Sequence, residues 1–307
     1  RDREDEEAFE DEGEGADSDG EEIVKPKKAI YRQRAHSNPL GISNQWRPLT
    51  PAHVPLSEYF PAYMRTDAPT GEEAPKIRWV DLGCGFGSLL VELAGLERRE
   101  LMLGMEIRKK PVTFVQQRLK ALRHEARQAL PPAERAAPVF ADNAWAVDTN
   151  SMKFMPNFFE KGQLTKLMIC FPDPHFKQRN IRRRVVSQSL LAEYAYCLQH
   201  GARVYTITDV KALTDWMVEH LTAFPLFDRV PNDELAKDPV VPLLLKTDEG
   251  LKVTRNNGNM FIACFDRRAT PRADPPGPPL PRDVAEAAAA AAGYAPKPGG
   301  ELRGKTW

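Results

Sequence analysis

Between Lys76 and Arg268, short apolar runs alternate with longer stretches whose apolar residues recur at helical spacing. "IRWVDL" (77–82) is followed by "SLLVELAGL" (88–96), "LMLGMEI" (101–107) and a helical "VTFVQQRLKALRHEARQAL" (112–130). A weaker strand candidate, "AWAVDT" (144–149), precedes a strong one at 164–171, where six of eight residues are apolar. Next come "SLLAEYAYCL" (189–198) as a helix, "ARVYTITD" (202–209) as a strand, "ALTDWMVEHLTAF" (212–224) as a helix and "MFIACFDR" (260–267) as a strand. Strands alternating with helices predict a mostly parallel sheet covered on both faces, a doubly wound α/β domain.

The ends differ from this middle. Residues 1–22 hold thirteen Asp or Glu against two Arg, a net charge of −11, with Phe9 the one large apolar residue. Such a segment cannot bury enough surface to offset its ordering entropy, so 1–29 is expected to be a disordered acidic tail. The overall neutrality is therefore misleading, because the rest of the chain carries a net charge of +11. From about Ala269 the chain is rich in Pro, Gly and Ala, and 269–307 reads as a second disordered tail. That leaves 30–75, without clear periodicity, as an N-terminal segment wrapping a core domain at 76–268. No stretch approaches the roughly 20 apolar residues a membrane helix needs. Four cysteines lie far apart, with no C-x-x-C pair and no histidine at metal-ligand spacing, so no metal is expected and reduced thiols of a cytosolic or nuclear protein are.

"WVDLGCGFGSLL" places Gly83, Gly85 and Gly87 after the first strand and before a helix, where backbone can approach a ligand beside a helix N-terminus. Glu106 ends the next strand, where a carboxylate can accept both hydroxyls of an adenosine ribose. A dinucleotide, S-adenosylmethionine or a purely structural turn all remain open. The G-x-G-x-G spacing, with Asp81 just ahead of it, favours S-adenosylmethionine, a ligand without a pyrophosphate to cradle; Asp81 would face its methionine end. A second feature is "FPDPHFKQRNIRRR" (171–184), in which one carboxylate between two prolines ends a buried strand and five Lys or Arg follow within eight positions. Lys177, Arg179, Arg182, Arg183 and Arg184, with Arg108, Lys109 and Lys110, suit phosphate contacts from a structured RNA. Arg32, Arg34 and Ser37 have the R-x-R-x-x-S spacing favoured by basophilic kinases.

"VDLGCGFG", "GMEIR", "NFFEKGQLTK", "FPDPHFK", "LLAEYAYCL", "VYTITDV" and "DWM" together resemble the tRNA (guanine-N7-)-methyltransferases, and "YRQRAHSNPL" (31–40) is similar to the N-terminal segment of the eukaryotic branch. The resemblance spans roughly 30–268. It implies a class I S-adenosylmethionine-dependent methyltransferase fold, Rossmann-like, with a seven-stranded mostly parallel sheet whose last strand is antiparallel. It also implies methylation of a guanine in the tRNA variable loop and a WD-repeat propeller as non-catalytic partner; the expected location is the nucleus, with the cytoplasm left open as a second one. By match to the motifs, Gly83, Gly85, Glu106, Arg108, Asn150, Ser151, Cys170, Thr247 and Glu249 are implied cofactor contacts, and Asp173 the catalytic carboxylate. Two departures stand out. Residues 127–143 form a small insertion that blurs the start of the third strand, and "KQRNIRRR" preserves the charge but not the residues of the family's basic run. N7 methylation of another RNA, or a non-catalytic tRNA-binding scaffold, are the alternatives.

Guanine N7 carries a lone pair and no proton, so methylating it needs no general base; it needs in-line placement and a grip on the base. An ionised Asp173 is acceptor-only and can pair with the N1–H and N2–H₂ donors of guanine, where adenine offers an acceptor. Its negative charge also favours a base that becomes cationic. Pro172 and Pro174 restrict the flanking backbone. An extruded base also needs an aromatic face, for which Phe171 and Phe176 are candidates, with His175 beside them.

Overall fold

The apolar runs form a single seven-stranded sheet in the computed structural model, which describes residues 15–16, 22–23, 25–33, 37–41, 45–64 and 75–272. The strands are β1 (Ile77–Leu82), β2 (Leu101–Glu106), β3 (Ala144–Asp148), β4 (Leu164–Cys170), β5 (Leu198–Thr208), β6 (Phe227–Arg229) and β7 (Phe261–Arg267). Their order is β3-β2-β1-β4-β5-β7-β6. All neighbours pair parallel except β7, which runs antiparallel to β5 and β6. The central strand β1 is buried on both faces, which is why its sequence reads as a continuous apolar run broken only by Arg78 and Asp81.

Among the described residues, six helices of eight residues or more connect the strands: α1 (Ser88–Leu96), α2 (Lys109–Gln128), α3 (Ser151–Phe158), α4 (Gln188–Cys197), α5 (Lys211–Ala223) and α6 (Asp248–Arg255). The α2 helix turns Val112, Phe114, Val115 and Leu119 onto the sheet, at the helical spacing visible in the sequence. Its buried Arg123 donates to the carbonyls of Ala141, Tyr59 and Ala144, and its guanidinium lies over Trp145. Arg127 Nη2 reaches both oxygens of the fully buried Asp142 at 2.6 and 2.8 Å. These cations tie the 127–143 insertion to the core, and β3 begins directly after it at Ala144.

Strand order reverses between β1 and β4, so the chain leaves these two neighbouring strands toward opposite sides and opens a crevice at their C-terminal ends. The glycine loop follows β1 and the Phe171–Phe176 loop follows β4. Both features singled out in the sequence therefore meet at this switch point.

Residues 25–29, expected in the acidic tail, lie against the domain: Lys25 pairs with Glu125 at 2.7 Å, and a 3-10 turn spans Lys28–Tyr31. The lysines that end the acidic run make these contacts. Nearer the start of the chain, Gly15–Ala16 pairs antiparallel with Glu22–Ile23. At the other end, Arg272, past the expected boundary, donates to the carbonyls of Thr222 and Phe224. The other expectations for both tails, and the Arg34 of the kinase-like motif, fall outside the described residues. Among the described residues no helix is long and apolar enough to cross a membrane, and no cluster of His, Cys, Asp or Glu could hold a metal ion.

Candidate functional site

The turn after β1 is shaped by its glycines. Gly83, Gly85 and Gly87 all have positive φ (76°, 55° and 70°), a region costly for any residue with a Cβ. The amides of Gly83 and Cys84 both donate to Met105 O on β2, so the loop folds back over the sheet edge. A Cβ on Gly83 would meet nothing within 4 Å, leaving room for a ligand above the loop; one on Gly87 would come 2.8 Å from Val115 of α2. Gly83 and Gly85 thus leave space above the loop, whereas Gly87 is required by packing.

Glu106 ends β2 beside this loop and is only 4% exposed. Its Oε2 accepts from Gly85 N at 3.2 Å and Arg108 Nη2 at 3.0 Å; its Oε1 accepts from Arg108 N and Nε at 2.9 and 3.1 Å. Burial works against the charge of Arg108, but the bonds to Glu106 outweigh it and hold the guanidinium pKa above its ordinary value. Asp81, one residue from the end of β1 and close enough to Glu106 to feel its charge, is 2% exposed, and its Oδ1 has no hydrogen-bond partner. Burial, and secondarily the charge of Glu106, push its carboxyl up to about 7. A buried carboxylate oxygen left unpaired is costly unless something donates to it. Burial likewise raises the thiols of Cys84 in the loop and Cys170 at the end of β4.

Asn150 caps α3: its Oδ1 accepts from Met152 N at 3.2 Å, while its Nδ2 donates to Pro39 O at 2.7 Å. Ser151 is the first residue of that helix, at the same C-terminal edge of the sheet. Two residues missed by sequence reasoning join it. Asp148 sits opposite Glu106 in the β2–β3 register, and its Oδ1 accepts from Gln45 Nε2 at 2.8 Å. Gln45 also donates to Ile107 O. Only the acid at the end of a strand, repeating the pattern of Glu106, signalled Asp148; nothing local marked Gln45. The N-terminal segment thereby closes one side of the crevice. Farther along, Lys28 Nζ lies 4.6 Å from the Phe86 ring centroid and 2.8 Å from Asp248.

Thr247 is buried as the N-cap of α6, donating to Leu244 O and accepting from Gly250 N, both at 3.1 Å. Its hydroxyl therefore shapes the turn that presents Glu249, which is exposed. Gly250 is required there, since a Cβ would come 2.4 Å from Leu245 O. The same turn is tied to the first residue of α1, with Asp248 N donating to Ser88 Oγ at 3.0 Å.

Across the crevice, the loop after β4 begins with Phe171 N donating to Ile207 O at 2.7 Å. Phe171 and His175 both have positive φ, 48° and 45°. Asp173 Oδ1 accepts from His175 N at 3.2 Å, and its side chain keeps 29% of its surface exposed. It caps no helix: the following 3-10 turn, Gln178–Arg183, has Lys177 at its N-cap position. Phe171 packs against the core, whereas Phe176 is 74% exposed, so of the two aromatic candidates Phe176 offers the free face.

Lys177, Arg179 and Arg182 are exposed beyond this loop; Arg183 is half-buried, as is Arg184, whose side chain turns back onto the loop. Lys109 and Lys110 are exposed in the first turn of α2, which holds no acid. Cations at a helix N-terminus oppose its dipole by a few tenths of a kcal/mol or more, so their placement is not explained by helix stability.

The model of a family described as "Putative methyltransferase" matches residues 75–263, the sheet and its crevice. The chain is 47% identical over 245 residues to the tRNA (guanine-N(7)-)-methyltransferase of Arabidopsis thaliana, covering 80% of this chain and 92% of the relative. It is 48% identical to that of Zea mays over 79% of this chain and 92% of the relative. For Yarrowia lipolytica the figures are 46%, 81% and 80%. Among solved structures, the 16S rRNA methyltransferase KamB aligns with 73% of this chain and 100% of its own at 13% identity and a TM-score of 0.42. With a glycine loop and an acidic strand end facing a proline-flanked aspartate across one switch point, and with relatives matching over most of their lengths, the chain belongs to the tRNA (guanine-N(7)-)-methyltransferase family.

Proposed function

We propose that this chain transfers a methyl group from S-adenosylmethionine to N7 of a guanine in the variable loop of tRNA. The carrying observation is the placement of the glycine loop and the Asp173 loop on the two strands that flank the switch point. The residues present fit the methyl donor. Open space lies above Gly83, Glu106 offers a carboxylate beside the glycine turn, and the unpartnered Asp81 Oδ1 is suited to the donor's ammonium group. Asn150 and Ser151 follow β3 and Cys170 ends β4 at the same end of the sheet, and Glu249, on the Thr247 turn, lies near enough to Arg108 for its charge to act on that guanidinium. When bound, S-adenosylmethionine supplies an electrophilic methyl group on a sulfonium.

The chain's own residues position the nucleophile. Because N7 has no proton, no side chain need act as a base; Asp173 accepts the N1–H and N2–H₂ donors of guanine and its charge offsets the cation that forms. Phe176 gives the extruded base an exposed ring to stack on. Lys177, Arg179, Arg182 and Arg183 on one side, with Lys109 and Lys110 on the other, meet RNA phosphates.

A WD-repeat partner is proposed from the family resemblance. Tyr196, exposed at the N-terminal edge of the sheet, borders a depression with Lys161, Gln199, His200 and Arg267, away from the crevice, which leaves both surfaces usable at once.

Replacing the target guanine of a tRNA transcript with 7-deazaguanine tests the reaction. Loss of methyl incorporation with unchanged tRNA binding supports N7 as the acceptor; continued incorporation refutes it.

A further inference from the structure

Arg184 differs from the other cations of its run. Its Nε donates to Pro174 O at 2.9 Å, one residue beyond Asp173, and its guanidinium carbon lies 4.6 Å from the centroid of the Trp216 ring. Trp216, on α5, is itself fixed. Its Nε1 donates to Val186 O at 2.9 Å, and its ring stacks on His220 with centroids 3.9 Å apart. The intervening chain is held from the other side by Tyr194 Oη, which donates to Val185 O at 2.7 Å. A continuous set of contacts therefore runs from α4 and α5 through Arg184 to the peptide that follows the catalytic aspartate.

The loop needs such a hold. Phe171 and His175 both occupy the left-handed region, which strains a residue with a Cβ, and Pro172 and Pro174 have no N–H with which to bond. Arginine combines a directional Nε–H with a planar cation that stacks on a ring; lysine keeps the charge but neither feature.

We infer that Arg184 is a positioning residue, which sets the Asp173 carboxylate in place through Pro174 rather than contacting RNA phosphate. The inference rests on the reading of Asp173 as the group that holds the target base. The test uses Arg184→Lys and Trp216→Ala with the full chain. Arg184→Lys lowers kcat about tenfold at saturating tRNA, with KM for tRNA and cofactor affinity within about twofold of the parent. The double variant is no slower than the slower single, because both break one set of contacts. Independently of activity, hydrogen exchange in residues 171–177 quickens in Arg184→Lys while the sheet is unchanged. Parental kcat and exchange, or a raised KM with kcat intact, would overturn the positioning role and return Arg184 to the phosphate contacts. Asp173→Asn in the same assay separates the two readings: if it is fully active, the role of Asp173 fails, whereas the exchange result still decides what Arg184 holds.

Discussion

The Arg108 guanidinium grips both carboxylate oxygens of Glu106, with Nε 3.1 Å from Oε1 and Nη2 3.0 Å from Oε2. With the amides of Gly85 and Arg108, four donors meet a group that has about four lone-pair sites. A ribose diol that bonds Glu106 therefore competes with Arg108. Glu106→Ala is predicted to weaken S-adenosylmethionine at least about tenfold, roughly 1.4 kcal/mol, and to lower Tm, because it strands a half-buried cation. Calorimetry and thermal melts check both, with tRNA affinity unchanged as the control.

Asp173→Asn keeps the shape of the side chain but loses its charge and presents one acceptor where guanine has two donors. Loss of a preorganised group of this kind costs about 2 to 4 kcal/mol in the transition state, so kcat should fall by about two orders of magnitude or more. Cofactor affinity should stay within a few-fold. Single-turnover methyl transfer measures the first and calorimetry the second.

Asp81 gives the protein a specific pH signature. Its carboxyl sits at about 7 in the fold and at about 4 in the unfolded chain, so between these values the native state holds a proton that the unfolded state has lost. Its neutral form favours folding below about pH 4, and that contribution is lost as pH rises through about 7. Asp81→Asn should therefore stabilise the cofactor-free protein at pH 8, by on the order of 4 kcal/mol, and little at pH 4. The same variant should bind S-adenosylmethionine less well. Urea melts at the two pH values check the sign.

Two glycines of one loop should respond differently to alanine. Gly83→Ala adds strain at φ 76° but meets open space, so its main effect is on cofactor affinity, with a stability cost of about 1 kcal/mol. Gly87→Ala adds similar strain and drives a Cβ to 2.8 Å from Val115, so stability falls by about 2 kcal/mol or more. Denaturant midpoints for the pair distinguish the roles.

The sheet was largely legible because its strands are buried on both faces. Ile77–Leu82 and Ser88–Leu96 fall where the sequence pattern puts them. The β6 strand was missed because three residues carry no period, and its partner β7 alone identifies it. The first turn of β5 was missed because Gln199, His200 and Gly201 read as a polar turn; Gly201 has φ 76° and the β4–β5 register shifts there. The α3 helix was hidden by Pro156 in its interior, although the cap at Asn150 was visible in retrospect. At the site, local motifs marked Glu106 and Asp173. The duties of Arg184 and Gln45 were invisible, because each depends on a partner brought close only by the fold.

Methyl transfer to tRNA with labelled S-adenosylmethionine, with and without a WD-repeat partner, followed by mapping of the labelled nucleotide, tests the central claim most directly. A single N7-methylguanine in the variable loop, abolished by Asp173→Asn, is the predicted result. Label at another position or on another base, or no label under either condition, would contradict it.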